Sequence, residues 1–218
     1  EVLETVLSNF FKKKITLMGS GRTDAGVHAT EQSAHFRINK KIIKKNYTIN
    51  SLNFFLKKYP ISILDIKKRN KKFHARHSAK DRTYKYFIIN RAATLAIEMN
   101  KAWHIKNKIN IALMKKGANL LLGTHDFSTF RSSSCSAKSP IRTLKKISIK
   151  KNKNKIVLTF VSRSFLQQQV RSMVGSLKQL GEGKWNYEYF SKVFYSKKRS
   201  LCASPAPAHG LYLAKIKY

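Results

Sequence analysis

Ile15-Thr16-Leu17-Met18 runs directly into Gly19-Ser20-Gly21-Arg22-Thr23-Asp24-Ala25-Gly26. The apolar lead reads as a short strand, and three glycines with an Asp after it mark a tight, irregular loop. Only 10 acidic residues face 45 Lys and Arg in this chain, so a carboxylate kept inside such a loop calls for a reason. Arg22, two positions earlier, is placed to hold the Asp24 carboxylate ionised and oriented through a charge-assisted hydrogen bond. The structural alternative is an Asx turn in which Asp24 caps its own loop. Other chemistries fit the loop poorly. Gly19-Ser20-Gly21 hints at a dinucleotide fingerprint, but the next glycine is Gly26, too late for GxGxxG, and Asp24 would face the pyrophosphate. There is no Walker A motif, and neither cysteine lies in the P-C-x-x-C of a zinc deaminase. A two-carboxylate glycosidase scheme has only Asp126 to offer as a second acid.

Outward from the loop, Val2, Leu3, Val6, Leu7 and Phe10 recur at helical spacing, which predicts a helix over 1–11. Strands are expected at 32–38, 61–66 and 83–89, and a helix over 46–58 that ends at Pro60. A helix over 109–122 stops at Gly123. Strands near 141–150 and 155–163 flank Lys151-Asn152-Lys153-Asn154 and predict a hairpin. Leu166, Val170, Met173, Val174 and Leu177 share one face of a helix over 166–180, with Gly181 past its end. A helix over 186–196 and a strand over 211–216 complete the pass. Helices and strands are interspersed, with hairpins in place of regular crossovers, so the expected class is α+β. The expected division is 1–79, carrying the Asp24 loop, and 80–218.

The formal charge of +35 over 218 residues attracts polyanions, with a strongly salt-dependent affinity for nucleic acid. Abundant Lys, Asn and Ile also fit an AT-biased genome, and a run such as Lys67-Lys68-Arg69-Asn70-Lys71-Lys72 reads equally as solvated surface. The apolar fraction of 42% is enough for a core. No apolar stretch is long enough to span a bilayer, so no membrane partner is expected. Cys135 and Cys202 lack metal-ligand spacing, and no metal site is expected. Two lone thiols fit a reducing cytoplasm.

Two further residues stand out. In Arg82-Thr83-Tyr84-Lys85-Tyr86, strand alternation puts Arg82, Tyr84 and Tyr86 on one face. Tyrosine among basic residues suits stacking on an extruded base, and equally suits a cross-strand core position. Arg171 lies one helical turn before Gly175, where a small residue lets another element or a ligand come close; a surface arginine is the plainer reading.

Taken in order, these pieces resemble one family. Gly21-Arg22-Thr23-Asp24-Ala25-Gly26-Val27-His28-Ala29 is similar to the long signature of the tRNA pseudouridine synthase A family. Phe73-His74-Ala75-Arg76 then precedes Arg82-Thr83-Tyr84-Lys85-Tyr86, as in that family. Leu122-Gly123-Thr124-His125-Asp126-Phe127-Ser128 with Phe130-Arg131 resembles its central motif. Phe165-Leu166 with Val170-Arg171-Ser172-Met173-Val174-Gly175 resembles its late helix, and Ala206-Pro207-Ala208-His209-Gly210-Leu211-Tyr212-Leu213 its closing segment.

The resemblance implies the pseudouridine synthase α+β fold, two similar halves with joined sheets and a basic central cleft. It implies uridine at positions 38 to 40 of the tRNA anticodon stem-loop as substrate, no cofactor or metal, and a homodimer in the cytoplasm. It makes Asp24 the catalytic aspartate, Arg22 its ion-pair partner and Tyr84 the base-contacting tyrosine. Arg171 becomes an arginine near that aspartate, and Arg76, Arg131 and His28 join the substrate-binding set. The reaction breaks the C1′–N1 bond, turns the uracil and joins C5 to C1′. A carboxylate can attack C1′ or the base, or assist proton removal at C2′, and the sequence leaves these open. The base must leave its stack and stay enclosed while it turns, and the C5 proton needs a base, for which Tyr84 and Asp24 are available.

Family members open with a strand carrying Tyr-Asp-Gly and a later Trp-Gln, which nothing in this sequence matches. Exposed sheet edges near the Asp24 loop are therefore expected. Glu31 replaces a usual glycine, and Gln169 stands where Met is common before Val-Arg. The competing expectation is a tRNA-binding protein with impaired catalysis, acting as an RNA chaperone.

Overall fold

The structure is a computed structural model, and it describes residues 1–39 and 44–218. The chain divides into two compact units: 1–21 with 33–78, and 22–32 with 79–218. The Asp24 loop therefore groups with the second unit, whereas the division expected from the sequence places it with the first half.

In the first unit, helix α1 (Val2–Phe11) and helix α2 (Lys45–Leu56) bury Leu7, Phe11 and Leu52 together with Ile15. The strand expected at 15–18 shrinks to β1 (Met18–Gly19). Side chains of α1 take the backbone donors that a longer ladder would use: the Ile15 N–H bonds Ser8 Oγ at 2.9 Å, and the Leu17 N–H bonds Glu4 Oε1 at 2.8 Å. Between the two stretches of this unit lies β2 (His28–Ala29), which belongs to the second unit; β1 pairs antiparallel with β3 (Ala34–His35). The strand expected at 61–66 does not form. Asn53 of α2 satisfies Ile63 on both sides, donating Nδ2–H to its carbonyl at 3.0 Å and accepting its N–H at 2.7 Å. A backbone unit whose donor and acceptor are both met by one amide needs no neighbouring strand.

Among the described residues, the second unit is a seven-stranded mixed sheet with three helices, which bears out the α+β class. Its strands are β2, β4 (Asp81–Asn90), β5 (Trp103–Ile105), β6 (Gly123–Asp126), β7 (Ile141–Asn152), β8 (Lys155–Ser162) and β9 (Leu211–Lys217). The order is β2-β9-β4-β8-β7-β6. β5 continues the β9 side of β4, pairing parallel at Ile88 to Asn90 where β9 has ended. Strands β7 and β8 form the expected hairpin, closed by Lys153-Asn154 with Lys153 at φ 49°. β5 and β6 escape sequence reading because three or four residues carry too little alternation to register.

Helices α3 (Ile111–Leu120), α4 (Gln169–Gly181) and α5 (Tyr187–Tyr195) pack together, with α3 also on β7. The apolar face predicted for 166–180 is buried among Tyr86, Leu158 and Phe160 of the sheet. The helix itself starts later than expected, because Gln168 sits at φ 60°, outside helical space, and the Gln169 amide instead accepts the Leu166 N–H at 2.8 Å. Gly181 ends the helix from inside, and the left-handed turn falls at Gly183, φ 73°. No helix among the described residues is long and apolar enough to cross a membrane.

Candidate active site

The second unit assembles the site from four separate stretches: the 22–27 loop, β4, α4 and the segment leading into β9. The loop is anchored at its exit, where β2 pairs parallel with β9 through His28–Tyr212 and Ala29–Leu213. Thr30 extends the anchor, donating its N–H to the Leu213 carbonyl and its hydroxyl to the Ala214 carbonyl at 3.1 Å. Ala214 is the extra residue of a bulge, since β4 pairs Thr83 with Lys215 but Tyr84 with Leu213. Bulges of this kind re-aim side chains, and this one falls at Tyr84. Inside the loop the Val27 N–H bonds the Asp24 carbonyl at 3.1 Å, and Gly26 takes φ +78°, a backbone shape that glycine adopts freely.

Asp24 Oδ2 accepts a hydrogen bond from Arg171 Nη1–H at 2.8 Å, across 147 residues of sequence. Both side chains are largely shielded, Asp24 at 27% and Arg171 at 16% exposure, so solvent weakens the pair less than a surface bridge. The guanidinium is held from a second side: its Nε–H donates to the Ala206 carbonyl at 2.7 Å, and the Ala206 N–H returns to the Arg171 carbonyl at 3.0 Å. Gly175 makes that approach possible, because a Cβ there would lie 2.2 Å from the Ser204 carbonyl oxygen.

Tyr84 stands beside this pair. Burial pushes its phenol above the ordinary tyrosine range, opposed by the positive charge of Arg82 and reinforced by the negative charge of Asp24. Its ring meets Phe165 edge to face at 5.1 Å between centroids. Asp24, Arg171 and Tyr84 are thus brought together as a carboxylate, a fixed cation and an aromatic hydroxyl.

The other expected residues are placed differently. Arg22 is exposed, and among the described residues the cation paired with the Asp24 carboxylate is Arg171. Two residues of spacing keep Arg22 in the same irregular loop, whereas Arg171 approaches from a packed helix. The His28 ring stacks on Tyr212 at 4.6 Å, and its Nε2 lies 2.9 Å from the Asn100 carbonyl oxygen. Tyr212 in turn donates to the Lys101 carbonyl at 2.8 Å, so both rings tie down the 100–101 turn. Arg131 donates Nη1–H to the Ala137 carbonyl of its own loop at 3.4 Å. Arg76 lies exposed in the first unit, beside His74, whose ring accepts the Arg76 N–H at 3.1 Å. Among the described residues no group of three His, Cys, Asp or Glu could hold a metal ion.

Sequence reasoning gives no role to Ala206 or Tyr86. The signal for the first is the run Ala206-Pro207-Ala208, small residues able to approach a neighbouring backbone closely; Tyr86 reads only as part of a strand face.

A family described as tRNA pseudouridine synthase matches residues 118–218 of this mixed α+β chain. The tRNA pseudouridine synthase A of Pelagibacter ubique (strain HTCC1062) is 57% identical over 216 residues, 99% of this chain and 88% of the relative. Those of Wolbachia pipientis wMel and Methylocella silvestris are 42% and 41% identical, covering all of this chain and 89% and 88% of each relative. The chain belongs to the tRNA pseudouridine synthase A family.

Proposed function

We propose that this chain isomerises uridine to pseudouridine at positions 38 to 40 of the tRNA anticodon stem-loop. In this reading it works as a cytoplasmic homodimer without cofactor or metal. The two similar halves and the basic cleft implied by the family resemblance are part of the same proposal. One observation carries it: the Asp24 carboxylate held against Arg171 beside the Tyr84 phenol.

The chemistry follows from those three groups. Asp24 is the nucleophile or base that acts at the ribose when the C1′–N1 bond breaks. Arg171 fixes the direction of that carboxylate, since two of its nitrogens are committed, one to Asp24 and one to the Ala206 carbonyl. Tyr84 keeps its proton at neutral pH, so it meets the extruded uracil as an aromatic wall and hydrogen-bond donor. That leaves Asp24 as the better placed group to receive the C5 proton after the base has turned. The net charge of +35 supplies the attraction to tRNA phosphates.

The test is to incubate the protein with unmodified tRNA and detect pseudouridine by carbodiimide labelling and primer extension. Product in the anticodon arm is expected from the unaltered protein, and none from Asp24→Asn, with tRNA affinity changed less than about threefold. Product formation by Asp24→Asn would remove Asp24 from the chemistry. Saturable binding without product from the unaltered protein would instead support the RNA-chaperone reading.

A further inference from the structure

We propose that Tyr86 is a positioning residue for the isomerisation, acting on Arg171 through the carbonyl row of Ala206 and Pro207. This inference rests on the isomerase reading above. Tyr86 lies two residues beyond Tyr84 on β4, and its side chain is fully buried. Its hydroxyl donates to the Pro207 carbonyl at 2.8 Å. The preceding carbonyl, that of Ala206, is the one that accepts Arg171 Nε–H. The following residue, Ala208, places its methyl 3.4 Å from where a Cβ on Gly26 would sit, against the Asp24 loop. Three consecutive residues thus hold the guanidinium, receive the tyrosine and back the catalytic loop.

Residues 203–207 belong to no helix or strand, and the short turn Ala208–Gly210 has no side-chain cap. An irregular backbone keeps a functional geometry only when neighbours determine it. Here the determinants include the paired Ala206–Arg171 bonds on one side, Tyr86 on the other, and the longer Gly210 N–H bond to the Pro207 carbonyl at 3.4 Å within the turn. The fit around Tyr86 is close, since a Cβ on Gly210 would lie 2.6 Å from Tyr86 Cζ. Burial also drives the Tyr86 phenol far above its ordinary range, so the hydroxyl remains a donor throughout the working pH range. A buried hydroxyl whose hydrogen bond among the described residues goes to the backbone beside Arg171 is better suited to aligning that backbone than to filling the core, which a phenylalanine would do equally well.

The experiment is a double-mutant cycle of Tyr86→Phe and Arg171→Lys, with single-turnover pseudouridine formation and tRNA affinity measured for each protein. Tyr86→Phe is expected to lower the single-turnover rate about tenfold and to leave tRNA affinity unchanged, as befits an interaction used only in the chemical step. In the Arg171→Lys background the same change should alter the rate less than about twofold, because the guanidinium it aligns is gone. An unaltered rate in Tyr86→Phe overturns the inference. So does an equal fold loss in both backgrounds, or a loss confined to tRNA affinity. A near-ultraviolet circular dichroism spectrum and a cooperative melt matching the unaltered protein certify that the variant is folded. If Tyr86→Phe does not fold, Gly210→Ala, whose Cβ would lie 2.7 Å from the Tyr86 hydroxyl, crowds that hydroxyl away from Pro207 and must reproduce the rate-only loss; a normal rate there overturns the inference. Absence of product from the unaltered protein would refute the isomerase reading itself, a different outcome from an active Tyr86→Phe.

Discussion

Gly175→Ala adds one methyl group to the middle of α4, far in sequence from Asp24, and is expected to disable the site. A Cβ at this position would lie 2.2 Å from the Ser204 carbonyl oxygen, against the 3.4 Å at which ordinary contact begins, a shortfall of about 1.2 Å. The obstacle is backbone, so no side chain can swing aside. Relief requires the 204–206 segment to retreat from the helix, and Ala206 retreats with it. The Arg171 Nε–H bond to Ala206, now 2.7 Å, then stretches beyond hydrogen-bonding range, and the guanidinium loses one of its two fixed contacts. Displacements near 1 Å in a positioning element cost on the order of a hundredfold in rate. Overpacking of this kind also costs about 1–3 kcal/mol of stability. The assay is single-turnover pseudouridine formation with protein in excess, beside a denaturant titration. A normal rate in Gly175→Ala would refute the claim that the Ser204–Ala206 segment aligns Arg171. Lost tRNA affinity at an unaltered rate would equally refute it.

Three further outcomes are expected. Asn53→Ala should destabilise the first unit by about 1–3 kcal/mol in denaturant melts, because both backbone groups of Ile63 lose their partner at once. The Tyr84 phenol is raised by burial, so its folded state holds the proton above pH 10, where the unfolded chain begins to release it; this contribution to stability is complete below pH 10 and fades as pH climbs through the folded value. Ultraviolet titration of tyrosinate should therefore show that the amplitude lost in Tyr84→Phe lies at higher pH than that of the exposed tyrosines. With a charge of +35, tRNA affinity should fall about a thousandfold or more between 50 and 200 mM salt; a shallow dependence would show that the lysines are not used on phosphate.

Much of this was legible in the sequence for physical reasons that can be traced residue by residue. Val170, Met173, Val174 and Leu177 recur with helical spacing because one face of α4 packs into the apolar core, while its other buried positions carry small residues such as Ser172, Gly175 and Ser176. The β7–β8 hairpin was legible because two alternating runs flank a turn. The Asp24 loop was legible because glycines and a carboxylate in a basic chain are conspicuous. What escaped was set by partners distant in sequence. The strand expected at 61–66 has suitable residues, but Asn53 takes its hydrogen bonds. The ion-pair partner expected for Asp24 was the nearest in sequence, Arg22; Arg171, placed near that aspartate only by the family resemblance, is the one that bonds it from 147 residues away. Ala206 and Pro207 act through their carbonyls, which every residue possesses, so no side-chain pattern announces them.

The parallel pairing of β2 with β9 has a bearing on how the protein is made. The ribosome delivers the Asp24 loop early, yet the strand that fastens it emerges some 184 residues later, at Thr30 against Ala214. Contacts so remote along the chain form late. A nascent polypeptide therefore carries the Asp24 loop without this fastening until β9 emerges, and a product cut short before β9 is expected to hold the loop without its anchor.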